Sequence, residues 1–329
     1  MLRSETADDS ARRARALAGL RAYQDAPRLP RTPMPEPVAC DGRIALRDYG
    51  GTGRPVVVIP SLINPPFVLD LSPDNSLLRW LAGQGVRVLL VDWGTPAPGD
   101  RAMDLGDHVR AAARLCATLD TPPLLVGYCL GGTIALAMAG FVAVAGIALI
   151  ATPWHFGGFG DATRAAIADQ WTMAQPTAEQ MGLVPMEFLQ AMFWQIDPGR
   201  TVDKYAAFAD LDPASAKAQA FLALEDWANA GAPLPYAAGR EMFDDLFDAD
   251  LPGSGRWRIA DRIASADHGV PMVEFVAQSD RIVPAASAIG LPDQRIVPAG
   301  HVGMIVGSRA RSVLWEPLAR WLSGVPDIR

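Results

Sequence analysis

The sequence predicts an α/β fold, a mostly parallel, doubly wound sheet into which a mainly helical cap is inserted. Three observations predict it. Short β-branched runs, Pro55–Ile59 (PVVVI), Val86–Trp93 (VRVLLVDW) and Ala145–Ala151 (AGIALIA), read as strands buried on both faces and alternate with helical patterns over short connections. A further strand passes into a helix through a glycine-rich corner at Leu124–Ala137 (LLVGYCLGGTIALA). From Thr152 to about Asp267 helical spacing replaces the strand signal, and then Pro271–Ala277 (PMVEFVA) restores it.

In chain order, residues 1–37 are rich in Ala and Arg and then in Pro (Pro30, Pro33, Pro35, Pro37), so an extended, partly disordered arm is expected, with a weak helix over Ala11–Tyr23. Ile44–Tyr49 alternates like a strand. Ser72 and Pro73 read as the N-cap and first position of a helix through Leu77, Leu78 and Leu81. Leu105–Leu119 is helical, and Pro122–Val126 is the strand leading to the corner. The core is expected over 38–151 and 268–329, with the cap at 152–267. Five tryptophans of that insertion (Trp154, Trp171, Trp194, Trp227, Trp257) are read first as cap core rather than as substrate contacts. Gln294–Pro298 is the last strand and Arg309–Leu322 the closing helix.

Half of the 329 residues are hydrophobic and 20% are charged, enough for a large core. The formal charge of −7, from 29 Lys+Arg against 36 Asp+Glu, leaves no general polyanion footprint and excludes nucleic acid as an expected partner. Cys40, Cys116 and Cys129 have neither paired nor metal-knuckle spacing, so no disulfide and no metal site are expected. No signal-like apolar stretch and no transmembrane segment is read, and a soluble, cytoplasmic protein is expected.

The corner carries the chemistry. Strand, Gly127-Tyr128-Cys129-Leu130-Gly131-Gly132 and helix form the nucleophile elbow of an α/β-hydrolase, with Cys where Ser is commoner. A turn that tight requires small residues beside the nucleophile, which Gly127, Gly131 and Gly132 supply. Cys129 then sits at the positive end of a helix, where thiolate is favoured. A thiolate needs a base and a group to orient that base. Asp280 and His301 each directly follow one of the last two strands, in the order nucleophile, acid, His, and so reach the same sheet edge. His108, His155 and His268 fit the base position less well. The oxyanion of an acyl intermediate needs amide donors, expected from Leu130 and, in the loop after Pro55–Ile59, from Ile63.

At this point several segments resemble one family, the polyhydroxyalkanoate synthases. They are SLINPPFVLDLSPDNSLLRWLAGQG (61–85), VLLVDWGTP (88–96), GYCLGG (127–132), ATPWHF (151–156), SDRIVP (279–284) and GHVGMIVGSRARSVLWEPLARWL (300–322). The resemblance runs from about residue 38 onward and is nearest the class III catalytic subunit. It implies that Cys129 carries the growing chain, that His301 is the general base and that Asp280 completes the set. It further implies a 3-hydroxyacyl-CoA substrate, most simply short-chain, a polyester product at a granule surface, a second synthase subunit and a homodimer. No cofactor is implied, the CoA thioester being substrate. Arg281, where the family commonly has His, and Leu130, where class III elbows commonly have Gln, are departures that bear on substrate range and polymerising ability.

Three readings remain open on the sequence: an acyltransferase that polymerises 3-hydroxyacyl groups, a thioesterase or depolymerase that gives the same residues water, and a non-catalytic granule scaffold.

Overall fold

In the computed structural model, which describes residues 1–326, the apolar runs assemble into an eight-stranded sheet. Its strands are β1 (Pro37–Asp41), β2 (Ile44–Gly50), β3 (Pro55–Ile59), β4 (Arg87–Asp92), β5 (Leu124–Tyr128), β6 (Gly146–Ile150), β7 (Met272–Ala277) and β8 (Gln294–Val297). Their spatial order is β1-β2-β4-β3-β5-β6-β7-β8. β2 runs antiparallel to both its neighbours, and the remaining pairings are parallel. Helices α1 (Ser10–Asp25), α2 (Leu77–Ala82), α3 (Leu105–Cys116) and α4 (Leu130–Met138) come before the inserted segment. α5 (Asp161–Met181), α6 (Met186–Ile196), α7 (Pro198–Phe208) and α8 (Ala216–Asn229) belong to it, and α9 (Glu316–Gly324) closes the described chain.

Every residue of β3 is buried, as a strand covered on both faces requires. Val56 and Val58 face Leu77, Leu78 and Leu81 of α2 together with Leu318 of α9. Val57 and Ile59 point the other way, to Leu105 and Val109 of α3 and Ile134 of α4. The two-residue period of the strand thus builds two apolar layers, one on each side. The second layer continues without a break into the inserted segment through Trp171, Met186, Phe243 and Trp257, so cap and sheet share a core. Trp171 stacks on Phe243 at 4.7 Å, and its indole N–H reaches Asp244 Oδ1 at 2.8 Å.

One local expectation is corrected. The helix does not start at Ser72–Pro73. Pro73-Asp74 makes a turn between two short paired segments, Asp70–Ser72 and Asn75–Ser76, and Ser76 Oγ caps α2 by accepting the Arg79 N–H at 3.1 Å. The N-terminal arm carries the expected helix, α1, followed by an extended stretch up to β1. α1 lies on α7, with Gly19 so close that a Cβ there would stand 1.8 Å from the Tyr205 carbonyl oxygen. Arg12 pairs with Asp203 at 2.7 Å, Arg15 pairs with Asp210, and Tyr23 and Arg28 both hold Asp226 on α8. These partners lie about two hundred positions away in sequence, so no local pattern shows them.

His108 on α3 is fully buried between two fixed partners. Arg43 can only donate, so His108 Nε2 accepts from its Nη2 at 2.7 Å, and Nδ1–H donates to the Asp104 carbonyl at 2.6 Å. Burial first, and then the Arg43 charge, push the imidazole down to about 4. A depressed value means that this neutral ring supports the fold above pH 6.5 and loses that support as pH falls toward 4. The loss amounts to about 3 kcal/mol. His108→Gln keeps one donor and one acceptor but does not titrate. In urea unfolding, the stability gap between wild type and this variant should narrow by that amount between neutral pH and pH 4; a constant gap would refute the assignment.

Among the described residues, no helix is long and apolar enough to cross a membrane.

Candidate active site

The corner after β5 is built by three close approaches that leave no space for a side chain. A Cβ on Gly127 would meet Gly132 Cα at 2.3 Å, one on Gly131 the Ile59 carbonyl oxygen at 2.1 Å, and one on Gly132 the Thr152 hydroxyl at 1.9 Å. Between them Cys129 takes φ 55° and ψ −132°, a conformation costing about 1–3 kcal/mol for a residue with a side chain. The strain is held by two backbone bonds, Cys129 N–H to the Ile150 carbonyl and Gly132 N–H to the Cys129 carbonyl, each 2.9 Å. The sulfur therefore stands off the end of β5, at the start of α4.

Asp280 follows β7 and His301 follows β8, and both reach that edge. Asp280 is fixed on both oxygens. Oδ1 accepts the N–H groups of Ile282 and Val283 at 2.8 Å each, and Oδ2 faces His301 Nδ1 at 2.7 Å. The carboxylate accepts, so Nδ1 carries the proton toward Asp280 and Nε2 is the ring's other nitrogen, in a side chain that lines the same cleft as Cys129. The imidazole also stacks on Tyr128 at 5.1 Å, and the Tyr128 hydroxyl donates to the His301 carbonyl at 3.3 Å. Burial alone would lower the His301 pKa. The Cys129 sulfur and the Asp280 carboxylate outweigh it and raise the imidazole to about 10. The buried Tyr128 phenol is pushed upward, by desolvation first and then by the same two charges, and stays neutral.

Imidazole and carboxylate, expected from two distant segments, are hydrogen-bonded, and Cys129 and His301 line one cleft. The other expected residues divide. Leu130 opens α4, so its N–H has no acceptor inside the helix and lies next to the sulfur in sequence. Ile63 is not delivered. Its N–H turns back onto Ser61 Oγ at 3.2 Å, and Ser61, not Ile63, lines the cleft. The remaining cysteines are elsewhere, Cys40 exposed on β1 and Cys116 buried in α3, where desolvation pushes the thiol up to about 12. His268 sits on the surface against the Ser265 carbonyl at 2.9 Å. Among the described residues no cluster of His, Cys, Asp and Glu is placed to hold a metal ion.

Cys129 and His301 open into a cleft of about 650 Å³ between sheet edge and cap. One wall is apolar, with Val68, Phe193, Trp194, Leu224 and Trp227; α7 places Arg200 and Lys204 on another. Lys204 is paired with the buried Glu225 at 2.8 Å, which also accepts the Tyr205 hydroxyl at 2.9 Å. The tryptophans split accordingly. Trp154, Trp171 and Trp257 are core, whereas Trp227 and the 41% exposed Trp194 line the cleft. Sequence reasoning missed the α7 and α8 residues of this wall, because helical spacing marks an apolar face but not which polar side chain borders a cavity.

The family model described as the alpha/beta hydrolase family matches residues 56–313. A poly(3-hydroxyalkanoate) polymerase subunit, PhaC, of Haloferax mediterranei is 26% identical over 82% of this chain and 58% of its own length. The corresponding subunit of Synechocystis sp. is 26% identical over 82% of this chain and 77% of its own. The chain thus spans a little over half of the first relative. Among solved structures, BpoC from Mycobacterium tuberculosis superposes with a TM-score of 0.55 at 18% identity, covering 86% of this chain and 97% of that one, a likeness of fold.

Proposed function

Because this chain belongs to the alpha/beta hydrolase family, we propose that it uses Cys129 as an acyl-carrying nucleophile and polymerises 3-hydroxyacyl groups, of short chain, delivered as CoA thioesters. One observation supports the reading: a cysteine in the strained elbow lines the same cleft as a histidine that an aspartate holds by Nδ1. The similarity to polymerase subunits supports the choice of reaction.

In this reading His301 Nε2 takes the Cys129 proton, giving a thiolate beside an imidazolium, for which Asp280 supplies the opposing charge. The thiolate adds to the thioester carbonyl. The tetrahedral oxyanion is met by the Leu130 N–H and a second donor in the Ser61 loop. When it collapses the C–S bond to CoA breaks, and the departing sulfur takes the proton from His301. One thioester replaces another, so little free energy is lost. The 3-hydroxyl of the next unit then gives its proton to His301 Nε2 and attacks the Cys129 thioester, forming the more stable oxygen ester and freeing the sulfur. Water in place of that hydroxyl would yield free acid, so exclusion of water by the cap decides the product. The apolar wall suits the acyl chain, and Arg200 and Lys204 suit the phosphates of CoA. The reading extends to a granule surface, a second synthase subunit and a homodimer. It needs no cofactor.

The test is incubation of the purified chain, alone and with a candidate second subunit, with 3-hydroxybutyryl-CoA, following both CoA release and product form. Polymer is expected. Stoichiometric free acid would replace the proposal with a thioesterase, and no CoA release in any combination would replace it with a scaffold.

A further inference from the structure

Arg281, the departure next to the acid, has a partner in the cap. Its Nη1 is ion-paired with Asp197 Oδ2, across the cleft, from the loop after β7 to the corner between α6 and α7. Each end is anchored. The Arg281 loop is wound around Asp280, whose Oδ1 gathers Ile282 N–H and Val283 N–H. Asp197 is the N-cap of α7, its other carboxylate oxygen accepting the Arg200 N–H at 3.1 Å and its carbonyl the Thr201 hydroxyl at 3.0 Å. Both side chains line the cleft into which Cys129 opens, as do Arg200 and Lys204 one and two turns further along α7. The pair is a direct charged tie between the acid loop and this cap corner.

We propose that the Arg281–Asp197 pair is a latch that holds the α6–α7 corner down over the cleft and limits access to Cys129. Arg281 is then a positioning residue that sets how far the cap stands from the sulfur. Such a tie is modest by design. Arg281 is 65% exposed and Asp197 26%, so solvent screens the attraction and the latch opens readily. Its release would change cleft access about two- to fivefold, not by orders of magnitude.

The inference rests on Cys129 being the reactive group of the cleft, and its test uses no acyl substrate. The rate of alkylation by neutral iodoacetamide is read at Cys129 by peptide mass, separately from the exposed Cys40, in wild type, Arg281→Ala, Asp197→Asn and the double variant. Asn keeps the capping oxygen, so α7 keeps its start. A latch predicts faster alkylation in both single variants, about two- to fivefold, with no further gain in the double variant. Raising salt to about 1 M should speed the wild type alone. A charge effect on the sulfur gives a different pattern: losing the cation slows alkylation and losing the carboxylate speeds it. Opposite signs, unchanged rates in both single variants, or gains that add in the double variant overturn the latch. Coupled alkylation in a chain that releases no CoA would overturn the proposed reaction and leave the latch standing.

Discussion

Cys129→Ala should lower CoA release from 3-hydroxybutyryl-CoA by about four orders of magnitude or more. Among the described residues Cys129 is the only sulfur-bearing side chain lining the cleft, Cys40 being on the surface strand β1 and Cys116 packed in α3. Neither can stand in. The substitution also leaves the fold intact, because Ala meets the same backbone demand as Cys and removes one partly buried atom. Stability by urea unfolding should therefore change by less than about 1 kcal/mol while turnover vanishes. Cys129→Ser is the informative companion, since a hydroxyl needs the base far more than a thiol does and should recover little of the rate. Turnover that survives Cys129→Ala unchanged would remove the nucleophile from the account.

His301→Ala is the second large effect, with an expected loss of about three to four orders of magnitude in kcat. The ring has two duties in the reading, accepting the thiol proton and later the hydroxyl proton, and among the described residues no second histidine lines the cleft. The effect should be far from additive with Cys129→Ala, because a base without its nucleophile has nothing to activate. Removing the ring also takes a stacking partner from Tyr128 and leaves the Asp280 Oδ2 without its donor, so some stability is lost as well. His301→Gln restores a donor toward Asp280 and separates the two effects: stability should return and activity should not. Asp280→Asn should be milder for acylation than for chain transfer, since the thiol is easier to deprotonate than the incoming hydroxyl. Single-turnover acylation against steady-state CoA release measures that split.

The sheet was legible because each strand is short, apolar and bounded by turn residues, and β3 is read to the residue. β1 was not, because Pro37–Asp41 pairs only along one edge and shows no buried pattern. The elbow could be read from composition alone: three glycines in six positions answer to three contacts shorter than any side chain permits. Asp280 and His301 followed from their places after strands. Ile63 did not, because the direction of a loop amide depends on a hydroxyl two residues back, Ser61 Oγ, and not on spacing. The N-terminal helix was expected, but not where it docks: Ala16 and Gly19 pack on α7 beside Val202, Ala206 and Tyr205, and charged pairs flank that contact. Its partners Asp203, Asp210 and Asp226 lie in the cap, out of reach of any local pattern. Arg281 shows the same limit: its identity was visible as a departure, but its partner 84 residues earlier was not.

The most direct measurement is the mass of the Cys129 peptide after brief mixing with 3-hydroxybutyryl-CoA and an acid quench. The account predicts one added 3-hydroxybutyryl group on that sulfur, released by hydroxylamine and absent from Cys129→Ala. CoA release without any adduct there, or with the acyl group on a different residue, would contradict it.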